Sequence, residues 1–229
     1  MSYRRTNVFL RICCLLTAAL VTVKAPAYVS GAAGETPEII YEQYFNSTAT
    51  NGVPDEVTVK GEKARVIRAG ENNKVLQVLS GAKTEVSFPV SSEAFKYVAE
   101  FSIAAEKSVN TSVSLQSGTS QYELLKIEDN AVRTTEGKTV GGVIANAAVK
   151  NGEMSGRMSR IAIAVNRESG IFSVYIDSKM CLYDWKLPNA AKADGITVTK
   201  AADENNNLYL DNVAAYEGEE PLSAITPTG

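Results

Sequence analysis

From residue 39 onward, apolar and polar positions alternate with a period of two. "YVAEFSIAA" (residues 97–105) sets Tyr97, Ala99, Phe101 and Ile103 against Glu100 and Ser102. "SVSLQSG" sets Val113 and Leu115 against Ser112, Ser114 and Gln116. "RIAIAVN" sets Ile161, Ile163 and Val165 against Ala162 and Ala164, and "IFSVYID" sets Phe172, Val174 and Ile176 against Ser173, Tyr175 and Asp177. Such alternation predicts strands with one face in a core. Further strands are predicted at residues 39–45, 64–68, 75–79, 84–90, 122–127, 180–185 and 196–199. Turn chemistry separates them in "SGAK", "QSGTSQ", "EDNA", "NRESG", "DSK" and "DENNN". No segment keeps helical periodicity over three turns, and "GGVIANAAVKNGEM" (residues 141–154) reads as a short helix or a long loop. This pattern of short strands predicts an all-β domain over residues 39–218, an antiparallel two-sheet β-sandwich.

The chain before that domain has another character. Arg4, Arg5 and Arg11 precede the uncharged apolar run "ICCLLTAALVTV", and "KAPA" supplies small residues at Ala25 and Ala27. That order is the layout of a secretory signal, here residues 1–27, and the run is short for a spanning helix. Residues 28–38 then lead into the domain, and residues 219–229, acidic and then rich in Pro, Thr and Ser, read as a linker toward neighbouring modules. Localisation is therefore expected to be secreted or at the cell surface.

Removing the leader changes the charge. Without Arg4, Arg5, Arg11 and Lys24 the chain carries 19 basic and 26 acidic residues, a formal charge of −7. An acidic domain has no electrostatic footprint for nucleic acid or for an anionic membrane surface. Cys181 alone remains of three cysteines, so the core must hold the domain without an internal disulfide. It reads as a small buried hydrophobe. The sequence contains no histidine. That absence removes Ser-His-Asp and Cys-His catalysis and imidazole zinc sites. Ser80 and Lys83 match an S-x-x-K pair, but the stretch bridges two strands where that chemistry needs a helix start. Asn46 and Asn110 open glycosylation sequons.

"RIAIAVNRESGIFSVYIDSKMCLYDWKLP" (residues 160–188) resembles the central hairpin of concanavalin A-like (laminin G-like) jelly rolls. The opening "IIYEQYFNSTATNGVPDEVTV…KVLQV" and the closing "LYLDNVAAYEG" are similar to the first and last strands of extracellular bacterial jelly-roll modules, carbohydrate-binding modules among them. Ser178 departs from the pattern, standing where the hairpin turn usually has Gly. The resemblance implies a two-sheet jelly roll and leaves function open, since the fold hosts lectins, glycosidases, lyases and structural modules. The E-x-D-x-x-E strand of its glycosidases is missing, and the His of its lyases is impossible in this chain.

Two features remain as candidate sites. In "NNLYLDNVAAYEGEE" (residues 206–220), Leu208 and Leu210 have one parity and Val213 and Ala215 the other. A β-bulge at Asp211-Asn212 accounts for that shift. The resemblance adds a compatible reading, a structural calcium bound by Asp211 with Glu42, although calcium takes six to eight oxygens. In "CLYDW", Tyr183 and Trp185 lie two apart, so a regular strand points their rings the same way. As an exposed pair they would stack on a sugar, with Asp184 hydrogen-bonding its hydroxyls. As a buried pair they would fill the core edge, which the shared parity with Cys181 favours. Tyr175 and Tyr122 read as packing residues. The expected function is a non-catalytic module binding an extracellular or cell-wall polysaccharide. The alternatives are a structural or adhesion module and, third, a polysaccharide-active enzyme.

Overall fold

The computed structural model describes residues 37–61, 63–90, 93–188, 193–203 and 205–222. The expected leader, residues 1–27, lies outside the described residues, as do residues 28–36 and 223–229. The described chain contains strands and no helix, in chain order β1 (Ile39–Gln43), β2 (Thr58–Lys60), β3 (Ala64–Arg68), β4 (Lys74–Val78), β5 (Thr84–Pro89) and β6 (Lys96–Ala105). There follow β7 (Thr111–Ser117), β8 (Ser120–Glu128), β9 (Ala131–Thr134), β10 (Thr139–Val143), β11 (Ala145–Lys150) and β12 (Glu153–Gly156). The last five are β13 (Ser159–Asn166), β14 (Ile171–Ile176), β15 (Lys179–Lys186), β16 (Gly195–Lys200) and β17 (Leu208–Glu217).

They form two sheets. The larger runs β1-β17-β4-β3-β12-β11-β6-β13-β14-β15, with β17 also paired to β6, and the smaller runs β10-β9-β8-β7-β16-β5-β2. The opening and closing strands meet, Gln43 opposite Val213 and Glu42 opposite Ala214. Between the sheets lies one apolar core. Phe101, Ile103, Ile161, Ile163, Phe172, Val174, Leu208 and Leu210 enter it from the larger sheet, and Val86, Phe88, Val113, Leu115, Ile127 and Val198 from the smaller. The alternation read along the chain is the alternation between this core and the two outer faces. The expected all-β two-sheet sandwich is the observed architecture.

One segment differs from expectation. Residues 141–154 form neither a helix nor a loop but parts of β10 and β12 with all of β11 between them. Asn151 and Gly152 both have positive φ (55° and 77°) and close a two-residue turn between Lys150 and Glu153. That is the geometry Asn-Gly adopts between strands. The β11–β12 hairpin joins the sheet through short parallel pairings to β6 and β3. Its Ala147 and Met154 pack with Ile67, Val75, Ala104 and Tyr209 in a second apolar cluster, separate from the main core.

The 160–188 hairpin forms as the resemblance implies. Asp177 (φ 50°) and Ser178 (φ 69°) make the two-residue turn, with Ile176 opposite Lys179. Ser178 holds a left-handed conformation that a glycine takes without cost.

Candidate functional site

The outer face of the larger sheet carries a third apolar cluster of Val98, Ala162, Ala164, Tyr175 and Tyr216. Ala162 and Ala164 are the small alternate positions of "RIAIAVN", and beside them Ser173 is also small and buried. Small side chains on adjacent strands leave a depression. The segment after β17 forms one wall. Glu219 pairs with Lys96, the Leu222 backbone N–H donates to Tyr216 Oη (3.0 Å), and Pro221 is buried. The part of the expected linker at residues 219–222 is thus held against the sheet. Beneath it Tyr216 Oη donates to the buried Glu100 (3.2 Å), whose other oxygen pairs with Arg160.

The opposite wall is β15, where the backbone is irregular. Asp184 has φ 48°, and the pairing jumps from Val174–Leu182 to Phe172–Trp185. One extra residue on β15 makes a bulge, and the Asp184 N–H donates to Ser173 Oγ (3.2 Å). The expectation that Tyr183 and Trp185 share a face is corrected by this bulge. Trp185 is half-buried against the main core, with Lys138 Nζ 5.6 Å from its ring centroid. Cys181 packs half-buried against the same core. Tyr183 points the other way and is 69% exposed, more than any other large apolar side chain among the described residues.

The result is a cleft of about 260 Å³, lined by Tyr183, Asp184, Met180, Tyr175, Ser173 and Asn166 with Lys96, Glu219 and Glu220 at its rim. That volume lies near the lower end, about 300 Å³, of pockets that hold small molecules. Its electrostatics are negative. The Asp184 carboxylate, through its hydrogen bond and charge, pushes the Tyr183 phenol above its ordinary pKa. Burial, and then the charges of Glu220, Tyr183 and Asp184, do the same to Tyr175. Sequence reasoning singled out Tyr183 and Asp184. It missed Glu219 and Glu220, which reach the cleft only because the chain folds back after β17.

A second, larger concavity of about 860 Å³ lies on the smaller sheet. Ser112 and Ser114 of β7, Thr199 of β16, and Gln121, Glu123 and Lys126 of β8 line it, and no aromatic side chain among the described residues does. Its signal in the sequence was the polar parity of "SVSLQS" and "ITVTK". Lys83 at its edge pairs with Glu85 (3.0 Å) rather than with Ser80.

Asp211 and Glu42 lie apart from both concavities. The bulge expected at Asp211-Asn212 is present: Asp211 faces Ser102, Ala214 faces Glu100, and Asn212 takes φ 49°. The extra residue lets Leu208, Leu210, Val213 and Ala215 all reach the main core. Asp211 is 1% exposed, and its carboxylate accepts from Asn73 Nδ2 (3.0 Å) and from the Asn212 N–H (2.8 Å). Burial raises its pKa, and those two hydrogen bonds oppose the rise. Glu42 is exposed and accepts from Tyr44 Oη (3.1 Å). Among the described residues no group of three or more Asp, Glu, His or Cys is placed to hold a metal. Each Asp211 oxygen accepts one of these hydrogen bonds and keeps a further lone pair.

No protein-family model matches the sequence, and no curated protein does. Solved structures do match in fold. A sialidase aligns at 13% identity and TM-score 0.56 over 80% of this chain and 19% of its own. Domain 4 of AbnA, a GH43 extracellular arabinanase from Geobacillus stearothermophilus solved in complex with arabinotriose, aligns at 15% identity and TM-score 0.53, over 82% of this chain and 97% of that domain. The binding domain of botulinum neurotoxin DC in complex with SialylT aligns at 14% identity and TM-score 0.52, over 81% of this chain and 49% of that one. This chain thus spans about a fifth of the sialidase's length and half of the toxin fragment's. At these identities the likeness is one of fold: a two-sheet β-sandwich.

Proposed function

We propose that this chain is an exported, non-catalytic β-sandwich module that binds an extracellular or cell-wall polysaccharide at the Tyr183 cleft. One observation carries the reading: a tyrosine side chain, 69% exposed, lines a cleft with carboxylates from both β15 and the segment after β17. An aromatic face packs against the C–H face of a sugar, and carboxylates accept from its hydroxyls. The arabinotriose and SialylT complexes named for two domains of this fold support the class of ligand. The larger concavity offers hydroxyls and no ring. Export rests on the composition of residues 1–27, and the lack of catalysis on the absence of histidine and of an E-x-D-x-x-E strand.

The test is affinity electrophoresis of residues 28–229 through gels holding soluble polysaccharides, with Tyr183→Ala alongside. At least one glycan should retard the native chain, and the folded variant should lose about tenfold or more in affinity. If no glycan retards the native chain, the module is structural or adhesive instead. Retardation that Tyr183→Ala leaves intact would place the sugar elsewhere.

A further inference from the structure

The charge of the cleft narrows the kind of sugar it accepts. Among the described residues, Asp184, Glu219 and Glu220 line it against a single cation, Lys96. Lys96 is already engaged by Glu219. Two carboxylates, Asp184 on β15 and Glu220 on the returning segment, therefore face the cleft without a cation of their own among its lining residues. Both act on the cleft floor, for both raise the pKa of the Tyr175 phenol. The exposed Tyr183 ring adds the negative face of its π-system.

Resting on the glycan-binding reading above, we infer that this cleft selects glycans carrying protonated amino sugars over neutral ones, and rejects uronic and other acidic sugars. An ammonium group in place of a ring hydroxyl donates to Asp184 or Glu220 in a charge-assisted hydrogen bond and lies against the tyrosine face as a cation–π contact. A sugar carboxylate at the same place meets two like charges. The net charge of −7 beyond the leader turns polyanions away at longer range.

Three β-1,4-linked hexasaccharides on one backbone isolate the effect: glucose, glucosamine and glucuronic acid. Binding is followed by titration calorimetry, at a pH where sugar amines are protonated and carboxylates ionised. At low salt the glucosamine hexamer should bind about tenfold tighter than the glucose hexamer. That advantage should shrink as salt approaches about 0.5 M, and the glucuronic acid hexamer should not bind. Asp184→Asn, which keeps a residue tolerant of positive φ, and Glu220→Gln should each reduce the preference. Tyr183→Ala should abolish binding of the glucosamine hexamer, which separates cleft binding from attraction to net charge. Equal affinity for the glucose and glucosamine hexamers overturns the inference and leaves the glycan reading standing. A glucosamine preference that survives Tyr183→Ala overturns the inference too and places the sugar outside the cleft. If none of the three binds, the inference falls, and the polysaccharide panel above decides the glycan reading separately.

Discussion

Two aspartates in strands illustrate how single residues set side-chain direction. Asn212, beside Asp211, and Asp184 both hold left-handed backbone (φ 49° and 48°), and each marks a bulge in its strand. In β17 the bulge restores apolar residues to the core, so a parity break in the sequence exposes it. In β15 the bulge separates two aromatics of equal parity, and the sequence shows no break to read. The available signal was chemical: Asp is depleted in strands and enriched at positive φ. Asp211 also makes a pH prediction. Its carboxyl pKa is raised mainly by burial, so its contribution to stability is greatest below the unfolded pKa and is lost as pH rises through the folded one. Asp211→Asn should therefore raise the unfolding midpoint at neutral pH, with Asn73 turning its amide to keep the hydrogen bond. The gain should disappear below about pH 4, the ordinary Asp value. A gain that persists there would contradict burial as the cause. A calcium-dependent rise in the midpoint that Asp211→Asn abolishes would assign the carboxylate to a metal.

At the scale of elements, period-two alternation located the longer core strands within a residue or two, because each has one face in the core. It missed β2 and β9, three and four residues long and too short to show a period although Val132 of β9 lies in the main core, and it failed where no face meets that core. The β11–β12 hairpin packs in a cluster outside the main core, and its pattern of "ANAAVKNGEM" is too weakly apolar to read as strands. Asn151-Gly152 was the legible feature, since a two-residue turn with two positive φ angles favours that pair. The Asp177-Ser178 turn needs the same geometry with a worse residue. Ser178→Gly removes the left-handed penalty at the expense of a freer unfolded chain, and should add about 0.5–1 kcal/mol. Urea denaturation measures it. A loss of stability would mean that the serine side chain holds the turn in a way its backbone angles do not reveal.

For the molecule as a whole, the sandwich follows from alternation, but the site does not. Tyr183 and Asp184 were readable as candidates. Their partners Glu219 and Glu220 lie 35 or more positions later and reach the cleft because Tyr216 and Lys96 hold the returning segment. Periodicity carries no information about such a long-range contact. The fold offers two concavities on opposite outer faces, and the account depends on the smaller one being the ligand site. The most direct measurement is the amide chemical-shift map of ¹⁵N-labelled protein titrated with whichever oligosaccharide binds. The account predicts shifts at residues 180–184, 173–175 and 218–222. Shifts confined to Ser112, Ser114, Glu123 and Thr199 would place the ligand in the groove of the smaller sheet and contradict it.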